Sequence, residues 1–321
     1  MKNISTNIQE LTFILTKECN LNCEYCSQSH TKDKPSLEYL QTLINNFNKV
    51  KMFLNDFLYI DIFGGEPLLY QNQIKFLVEF LREQEQLLNK KFKIRVFTNG
   101  LLELKDIDFY IKNNIVFSIS YDGLGNKRGK ITDQLFDNIN LLNENNLIDK
   151  IAFSVLNPSK NYLIKNYLHI SKQLKNLTKI THYLVREPYL WTNIGVESYI
   201  NNFNTFISYA KVYKEEYNQL PLYIQSKISF FNKNKLGCES GINRFTISNE
   251  ILDCGVINFE NEFFAKNKNY LNLYDKYCST CEIQNDCDKK CPKYFLDHPE
   301  IFKEVFCKIK KYEIKKIKEI L

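Results

Sequence analysis

Length, composition and charge already exclude several classes of protein. The chain has 321 residues, 44% of them hydrophobic, which is enough for a large core and roughly two domains. Its 43 basic and 37 acidic residues give a net charge of +6, and the densest basic run, residues 308–318, alternates with apolar residues as a solvated surface does. No stretch reaches the roughly 20 apolar residues of a membrane helix, and the start lacks the apolar core of a secretory signal. We therefore expect a cytoplasmic protein that binds neither nucleic acid nor membrane.

Strand-like apolar runs alternate with segments of helical spacing along the first part of the chain. The first strand, Leu11–Thr16, is followed by a helix that begins after Ser36. Because parallel strands joined by helices build a sheet with helices outside, this alternation predicts an α/β fold, a partial (β/α)6 TIM-like barrel. The later predicted elements are strand Phe57–Phe63, helix Ile74–Leu88, strand Ile94–Thr98, helix Ile107–Lys112, strand Ile115–Ser120, helix Asp133–Asn145, strand Ile151–Val155, helix Leu163–Leu174 and strand Ile180–Leu184.

The chain is predicted to divide into three regions. Residues 1–188 form the partial barrel, and residues 189–235 form a helical bridge with a long helix near Glu197–Tyr217. Residues 236–321 are predicted as a small cysteine-rich domain that ends in a helix over Pro299–Leu321. Its elements are short and its cysteines dense, which is typical of a domain held by metal in place of a large core.

The ten cysteines are clustered in two parts of the sequence. Cys19, Cys23 and Cys26 form a C-x3-C-x2-C run directly after the first strand, and the other seven lie between residues 238 and 307. In a reducing compartment such clusters indicate metal or redox chemistry and not disulfides. A structural zinc site takes four protein ligands, whereas three cysteines on a short loop suit an iron-sulfur cluster with one open iron.

The first cysteine run and the motifs behind it resemble the radical S-adenosylmethionine (SAM) superfamily. Gly-Gly-Glu-Pro follows the second strand, Thr-Asn-Gly the third and Ser-Tyr-Asp-Gly the fourth, at the strand ends where barrel active sites lie. The resemblance implies a radical SAM oxidoreductase or peptide-modifying enzyme, in which a 4Fe-4S cluster binds SAM and cleaves it reductively to a 5′-deoxyadenosyl radical. It implies cluster ligation by Cys19, Cys23 and Cys26, and SAM contacts from Tyr25, Gly64, Gly65, Glu66, Pro67, Asn99, Ser120 and Arg128.

The resemblance also implies particular SAM contacts. Tyr25 would lie along the adenine, and residues 64–67 would meet the amino group, because glycines let a backbone edge approach a ligand. Ser120 would meet the ribose and Arg128 the carboxylate. No catalytic acid or base is assigned. The histidines form no pair at ligand spacing, which predicts ordinary surface or core residues. The alternative for His182 is that it lines the substrate mouth with Arg186, near the end of the sixth strand.

The second cysteine cluster resembles the SPASM extension of radical SAM enzymes. Asn249 stands where that pattern has a glycine, a change that a left-handed backbone tolerates. A pair of zinc ribbons is the alternative, but seven thiolates do not divide into two four-cysteine sites. The resemblance implies three 4Fe-4S clusters in all. Cys278, Cys281, Cys287 and Cys307 would fully ligate one auxiliary cluster, and Cys238, Cys254 and Cys291 would hold the other, which lacks a fourth cysteine.

SPASM-bearing relatives most often modify ribosomally made peptides by oxidation, cross-linking or epimerisation, and this is the function that the resemblance implies. Gly255 follows Cys254 where sulfatase-maturing relatives usually carry an aspartate, which disfavours that reaction. Dehydrogenation of a small molecule such as an amino sugar or alcohol is the alternative. A non-enzymatic iron-sulfur or zinc binding module would not need the Gly-Gly-Glu-Pro and Ser-Tyr-Asp-Gly loops. The implied partners are a peptide, a reductant such as flavodoxin or ferredoxin, and a separate leader-binding protein if the cysteine-rich region does not hold a leader.

Overall fold

The protein is an α/β structure, known here from a computed structural model. None of the described helices is both long enough and apolar enough to cross a membrane. The structure describes every residue except 1–6, 24, 27–30, 33, 122, 124–132, 175–176, 186–189, 230, 232–243, 253–277, 279, 284 and 288–298. The strands within the described residues are β1 (Ile8–Thr16), β2 (Leu54–Gly64), β3 (Lys91–Thr98), β4 (Val116–Ser120), β5 (Ile148–Val155), β6 (Ile180–Leu184), β7 (Arg244–Ile247) and β8 (Ile251–Leu252).

The helices alternate with the strands in the first part of the chain. Short 3-10 turns cover Lys51–Phe53, Pro67–Tyr70 and Leu177–Lys179, and a π-helical segment, Lys303–Cys307, joins the last two helices. The described α-helices are α1 (Leu37–Val50), α2 (Gln71–Leu87), α3 (Ile107–Lys112), α4 (Asp133–Glu144), α5 (Tyr162–Leu174), α6 (Asn193–Tyr217), α7 (Leu222–Ile228), α8 (Pro299–Phe302) and α9 (Lys308–Lys318).

The strands form a sheet in the order β6-β5-β4-β3-β2-β1-β7-β8. Parallel pairing joins β1 to β2, β2 to β3, β3 to β4, and β5 to β6. Helices α1 to α5 separate the six strands β1 to β6 in the chain, as parallel neighbours require. The predicted α/β fold with a partial barrel of six β/α strands is therefore confirmed.

Capping residues explain where the predicted helices begin. The Ser36 hydroxyl accepts a hydrogen bond from the Tyr39 amide at 3.1 Å, so α1 begins at Leu37. The Thr192 hydroxyl accepts from the Gly195 amide at 2.9 Å and starts the long helix α6 four residues before the predicted Glu197.

Two strands escaped the sequence analysis. β7 pairs with β1 in parallel, with Arg244 opposite Glu10, and β8 pairs with β7 in antiparallel fashion. Both strands lie within residues 236–321, which the sequence assigned to the cysteine-rich domain, yet they extend the barrel sheet. They have four and two residues, too few for an alternating pattern to be detected. Because β7 covers it, β1 is an interior strand of the sheet.

The chain divides into two compact units, and the first contains residues 1–120, 127–150 and 239–267. One face of its sheet is apolar and fully buried, as at Phe13, Ile60 and Ile94. The ring of Phe47, on α1, packs 6.2 Å from that of Phe13 and 6.4 Å from that of Phe92. This face is the core of the first unit.

The opposite sheet face of the first unit carries charge. Arg95 on β3 binds both carboxylate oxygens of Asp61 on β2, at 2.6 and 2.9 Å, and stands 3.4 Å from the Glu10 carboxylate on β1. Burial raises the pKa of Asp61 to about 6, against the opposing attraction of Arg95. The guanidinium also lies 4.6 Å from the centre of the Tyr59 ring. Asp61 interrupts an apolar strand in the sequence, and this signal was overlooked.

The second unit contains residues 121–126, 151–238 and 268–321. His182 on β6 is fully buried there, and its ring is stacked on Tyr223 with 3.7 Å between the ring centres. Its Nδ1 lies 3.0 Å from the Tyr167 hydroxyl and its Nε2 lies 3.0 Å from the Tyr199 hydroxyl. The prediction that His182 is an ordinary surface or core residue is therefore confirmed for the core, and the alternative that it lines a substrate mouth is wrong, because the side chain belongs to a buried polar network.

The same network contains a buried carboxylate, Glu313. Burial alone would raise its pKa, but the charges of Lys310 and Lys227 outweigh that effect. Hydrogen bonds from Tyr199 and Tyr223 add to the lowering, and the pKa falls from 4.5 to about 2. Glu313 is therefore ionised in the folded chain at neutral pH.

Glu313 should make folding stability depend on acid pH. Since its pKa is lower in the folded chain than in the unfolded one, its contribution is complete above pH 4.5 and is lost as the pH falls towards about 2. The change corresponds to about 3 kcal/mol of unfolding free energy. Urea titrations of the parent chain and of Glu313→Gln across this range should show the difference between them shrinking as the pH falls. A difference that stays constant from pH 5 to pH 2 would contradict the prediction.

Candidate functional site

The cysteine run directly follows β1 and closes on itself as a loop. The Cys26 amide donates to the Cys23 carbonyl at 3.0 Å, and the Leu21 amide donates to the Cys19 sulfur at 3.4 Å. The Thr31 amide returns to the Lys17 carbonyl at 3.4 Å. Cys26 is exposed, whereas Cys19 and Cys23 are half-buried. The three predicted cluster ligands therefore share one short, partly accessible loop.

Main-chain hydrogen bonds attach this cysteine loop to the Gly-Gly-Glu-Pro loop after β2. The Gly65 amide donates to the Thr16 carbonyl at 2.9 Å, and the Glu66 amide donates to the Glu18 carbonyl at 2.8 Å. A Cβ atom on Gly64, where φ is +146°, would lie 2.0 Å from the Thr16 oxygen, and one on Gly65 would lie 2.1 Å from the Glu18 oxygen. The glycines are required because the two backbones touch.

Replacing Gly65 with alanine should separate the two loops. The added methyl group meets backbone atoms of Lys17 and Glu18, which cannot move aside as a flexible side chain would. We expect the unfolding free energy to fall by about 2 kcal/mol and SAM binding to weaken. Thermal unfolding and equilibrium dialysis of labelled SAM measure the two effects. Gly195→Ala is a matched control, because its Cβ would meet the Asn157 side chain in the second unit. Equal SAM affinity in Gly65→Ala and the parent chain would contradict the prediction.

The Glu66 side chain points into the protein and holds the next loop. It is completely buried, and its carboxylate accepts hydrogen bonds from the Leu68 amide at 2.9 Å, the Thr98 hydroxyl at 2.8 Å and the Asn99 amide at 2.7 Å. Pro67 is also buried and begins the 3-10 turn that follows. Thus Glu66 joins the ends of β2 and β3. The predicted contact of residues 64–67 with SAM would have to come from their backbone.

Asn99, in the Thr-Asn-Gly motif after β3, completes the connection to the cysteine loop. The side-chain nitrogen of Asn99, Nδ2, donates to the Asn20 side-chain oxygen at 2.7 Å, and its side-chain oxygen, Oδ1, accepts from the Leu101 backbone amide at 3.0 Å. A second link comes from the Tyr70 hydroxyl, which donates to the Glu18 carboxylate. The sequence analysis missed Asn20, Glu18 and Tyr70, because their only signal is proximity to the motifs.

Three further residues are predicted to contact SAM, and the structure describes two of them. Ser120 ends β4 and is half-buried, and Tyr25 is half-buried in the cysteine loop. Arg128 lies outside the described residues. The roles of these three residues towards SAM stay predictions.

Four of the downstream cysteines also come together. The Cys281 amide donates to the Cys278 carbonyl at 3.0 Å, and the Cys287 amide donates to the Ile283 carbonyl at 3.0 Å. Burial raises the pKa of the Cys307 thiol to about 12, and the nearby thiols of Cys287, Cys278 and Cys281 raise it further, while Lys311 opposes them. Four sulfurs in one neighbourhood suit an iron-sulfur cluster or zinc.

The described thiols lie near one another without converging on a single point. In the described part of the chain, no three histidine, cysteine or acidic side chains surround a common metal position. The ligand chemistry of these residues fits iron-sulfur clusters, since cysteine thiolates ligate SAM-binding and auxiliary 4Fe-4S clusters alike. The remaining predicted ligands, Cys238, Cys254 and Cys291, lie outside the described residues.

Comparison with known proteins identifies the first part of the chain. The Radical SAM superfamily model matches residues 13–162, from β1 to the start of α5, and the matched segment includes the cysteine loop and the three motifs described above. The similarity to the Radical SAM superfamily therefore lies in residues 13–162, a little under half of the chain.

Two curated proteins are similar in sequence. The radical SAM cyclopropyl synthase TigE of Paramaledivibacter caminithermalis is 26% identical over 221 residues, covering 60% of this chain and 45% of that protein. An uncharacterised protein of Methanocaldococcus jannaschii is 32% identical over 123 residues, covering 36% of this chain and 40% of that protein. The chain thus spans less than half the length of these relatives.

Solved structures share the fold at low sequence identity. The enzyme anSMEcpe, solved with AdoMet and the Cp18Cys peptide, has a TM-score of 0.68 and 17% identity, and the match covers 98% of this chain and 100% of that one. SuiB of Streptococcus suis, solved with its precursor peptide SuiA, has a TM-score of 0.62 and 17% identity, with 90% and 73% of the two chains covered. At this identity the likeness establishes the fold alone.

Proposed function

We propose that this chain is a radical SAM enzyme that modifies a ribosomally made peptide and holds one SAM-binding and two auxiliary 4Fe-4S clusters. The observation that carries the proposal is the attachment of the cysteine loop to the ends of β2 and β3. Gly65 and Glu66 hold that loop through the main chain, and Asn99 holds it through its side chain. A zinc-stabilised binding module has no need for three strand-end loops fastened around three cysteines.

The residues of the chain have distinct parts in the proposed reaction. Cys19, Cys23 and Cys26 would hold a cluster that binds SAM, and the bound pair supplies reductive cleavage of SAM to a 5′-deoxyadenosyl radical that takes a substrate hydrogen atom. Glu66 and Asn99 keep the cysteine loop in a fixed position relative to β2 and β3. Because the hydrogen bonds of the Glu66 carboxylate to Thr98 and Asn99 are buried, the strand ends that hold the loop do not have to be ordered anew in each reaction cycle.

A peptide substrate is favoured by the two structural neighbours. One was solved with a Cp18Cys peptide and the other with the precursor peptide SuiA, and both share the fold over most of this chain. The grouping of Cys278, Cys281, Cys287 and Cys307 supports an auxiliary cluster in the region after residue 236. We further propose that a flavodoxin or ferredoxin supplies the electron, and that the reaction is an oxidation, a cross-link or an epimerisation.

Two measurements test the proposal. Anaerobically reconstituted and reduced protein should convert SAM to 5′-deoxyadenosine, and absence of cleavage by protein with intact clusters would overturn the enzymatic function. Co-expression with the short peptide encoded next to the gene should then change that peptide. Loss of two hydrogens indicates oxidation or a cross-link, whereas deuterium uptake from solvent without another mass change indicates epimerisation. SAM cleavage stimulated by an amino sugar or alcohol, and not by the peptide, would overturn the substrate class.

A further inference from the structure

The C-terminal helix α9 has two differently occupied sides. On one side, Lys311 lies 3.4 Å from Glu282 and Lys318 lies 2.6 Å from Asp286, and both acidic residues belong to the segment that carries Cys278, Cys281 and Cys287. Cys307 directly precedes α9. If the helix is extended back by one residue at about 100° per residue, Cys307 lies on the same side as these two lysines. The side of the helix that faces the cysteine segment thus carries the Cys307 thiol and the ammonium groups of Lys311 and Lys318.

The other side of α9 carries Glu313, about a third of a turn away from Cys307. Its Oε1 accepts hydrogen bonds of 2.5 Å from the hydroxyls of Tyr199 on α6 and Tyr223 on α7. Its Oε2 lies 3.2 Å from the Lys310 ammonium, and the side chains of this ion pair are only 1% and 3% exposed. A fully buried ion pair with this many partners fixes both the depth and the rotation of a helix, because any shift would leave charged groups without compensation.

The network ends at the Glu313 carboxylate, which can only accept hydrogen bonds, and this fixes the direction of the other hydrogen bonds. The Tyr199 hydroxyl donates its hydrogen bond to Glu313, so its oxygen accepts one from Nε2 of His182. In the neutral imidazole, Nδ1 is then an acceptor and takes a hydrogen bond from the Tyr167 hydroxyl. Four secondary-structure elements, β6, α5, α6 and α7, are thereby connected to one residue of α9.

We propose that Glu313 is a positioning residue for the auxiliary cluster whose ligands are Cys278, Cys281, Cys287 and Cys307. This inference rests on the proposed function, because the auxiliary cluster is part of that proposal. It adds that Glu313 fixes the position of one cluster ligand, Cys307. Six residues of helix separate Glu313 from Cys307, about 9 Å at 1.5 Å per residue, and a helix transmits rotation over that length. Cys307 is the last residue of the π-helical segment, the point where the register of the helix changes. A rotation of α9 would therefore move this sulfur away from the other three.

The test separates positioning from stability. The parent is the full chain with Cys19, Cys23 and Cys26 replaced by alanine, so that all bound iron is auxiliary. The variant adds Lys310→Met and Glu313→Leu, because apolar residues of similar volume commonly restore the stability that a buried ion pair provides. We expect a lower unfolding temperature, because the buried Tyr199 and Tyr223 hydroxyls lose their acceptor, and in the folded protein an altered EPR spectrum and a shifted midpoint potential. We also expect bound iron to fall by about one atom of eight, since one of the two clusters loses its fourth ligand and keeps three cysteines.

Controls decide between the outcomes. Leu77→Ala in α2 removes a buried side chain from the first unit, and we expect it to lower stability without changing the EPR spectrum. If Lys310→Met/Glu313→Leu does not fold, Tyr223→Phe removes one donor to Oε1 and should change the same spectrum. An unchanged spectrum, potential and iron content in a folded variant would overturn the positioning role alone. Absence of auxiliary iron in the parent would instead overturn the clusters of the proposed function.

Discussion

Replacing Cys19, Cys23 and Cys26 together with alanine should abolish the conversion of SAM to 5′-deoxyadenosine and leave auxiliary iron bound. The three sulfurs share one loop after β1, whereas the four described auxiliary cysteines lie in the second unit. Loss of the first set therefore removes the three cysteines that would ligate the proposed SAM-binding cluster. Anaerobic product analysis by chromatography and iron determination on the same sample measure both effects.

The reciprocal variant gives the control for this experiment. Cys307→Ala should retain SAM cleavage while losing iron, because Cys307 belongs to the other set of sulfurs. The pair of results would assign SAM chemistry to one loop and auxiliary iron to the other segment. Residual 5′-deoxyadenosine formation in the triple variant would contradict the assignment of the cysteine loop, and retention of all iron by Cys307→Ala would contradict that of the auxiliary site.

Glu66→Ala should lower the unfolding free energy by about 4 kcal/mol, because three buried donors lose their acceptor at once. The Leu68 amide, the Thr98 hydroxyl and the Asn99 amide all bind this carboxylate. The same change releases the end of β3 from the end of β2, so SAM cleavage should also fall. Urea titration gives the first effect, and SAM turnover by reconstituted protein gives the second.

A surface glutamate supplies the comparison for this prediction. Glu79 lies on the exposed side of α2, and Glu79→Ala should change stability by less than about 0.5 kcal/mol. Glu66→Gln keeps the size of the side chain and one carbonyl oxygen, and it should fall between the parent and Glu66→Ala. If Glu66→Ala were as stable as Glu79→Ala, the carboxylate would not be the connection between the strand ends.

The sequence predicted the helices and strands that are long enough to show a regular spacing of apolar residues. α3 and β6 have their predicted bounds, and α1 begins where the Ser36 cap placed it. β7 and β8 were missed because four and two residues carry no period. The long-range pairing of β7 with β1 decides where these residues lie, and such a contact leaves no local trace in the chain.

The site was predictable in its motifs but not in its connections. The order of the motifs placed Gly64, Glu66 and Asn99 at neighbouring strand ends, since parallel strands end at the same edge. The sequence could not reveal that the glycines face the cysteine loop backbone, or that the Glu66 carboxylate turns inward. Nor could it reveal the hydrogen-bond partners of His182, because Tyr167 and Tyr199 come from helices that bear no motif.

The position of β7 beside β1 has a consequence for synthesis of the chain. β1 emerges early from the ribosome and carries the cysteine loop at its end, but its second neighbour belongs to the last quarter of the sequence. Until that part has been made, one row of β1 backbone groups has no strand partner in the final sheet, and such an open edge can pair with other chains. We therefore expect an N-terminal fragment that ends before Arg244 to associate through this edge more readily than the full chain does, which light scattering of the two proteins would measure.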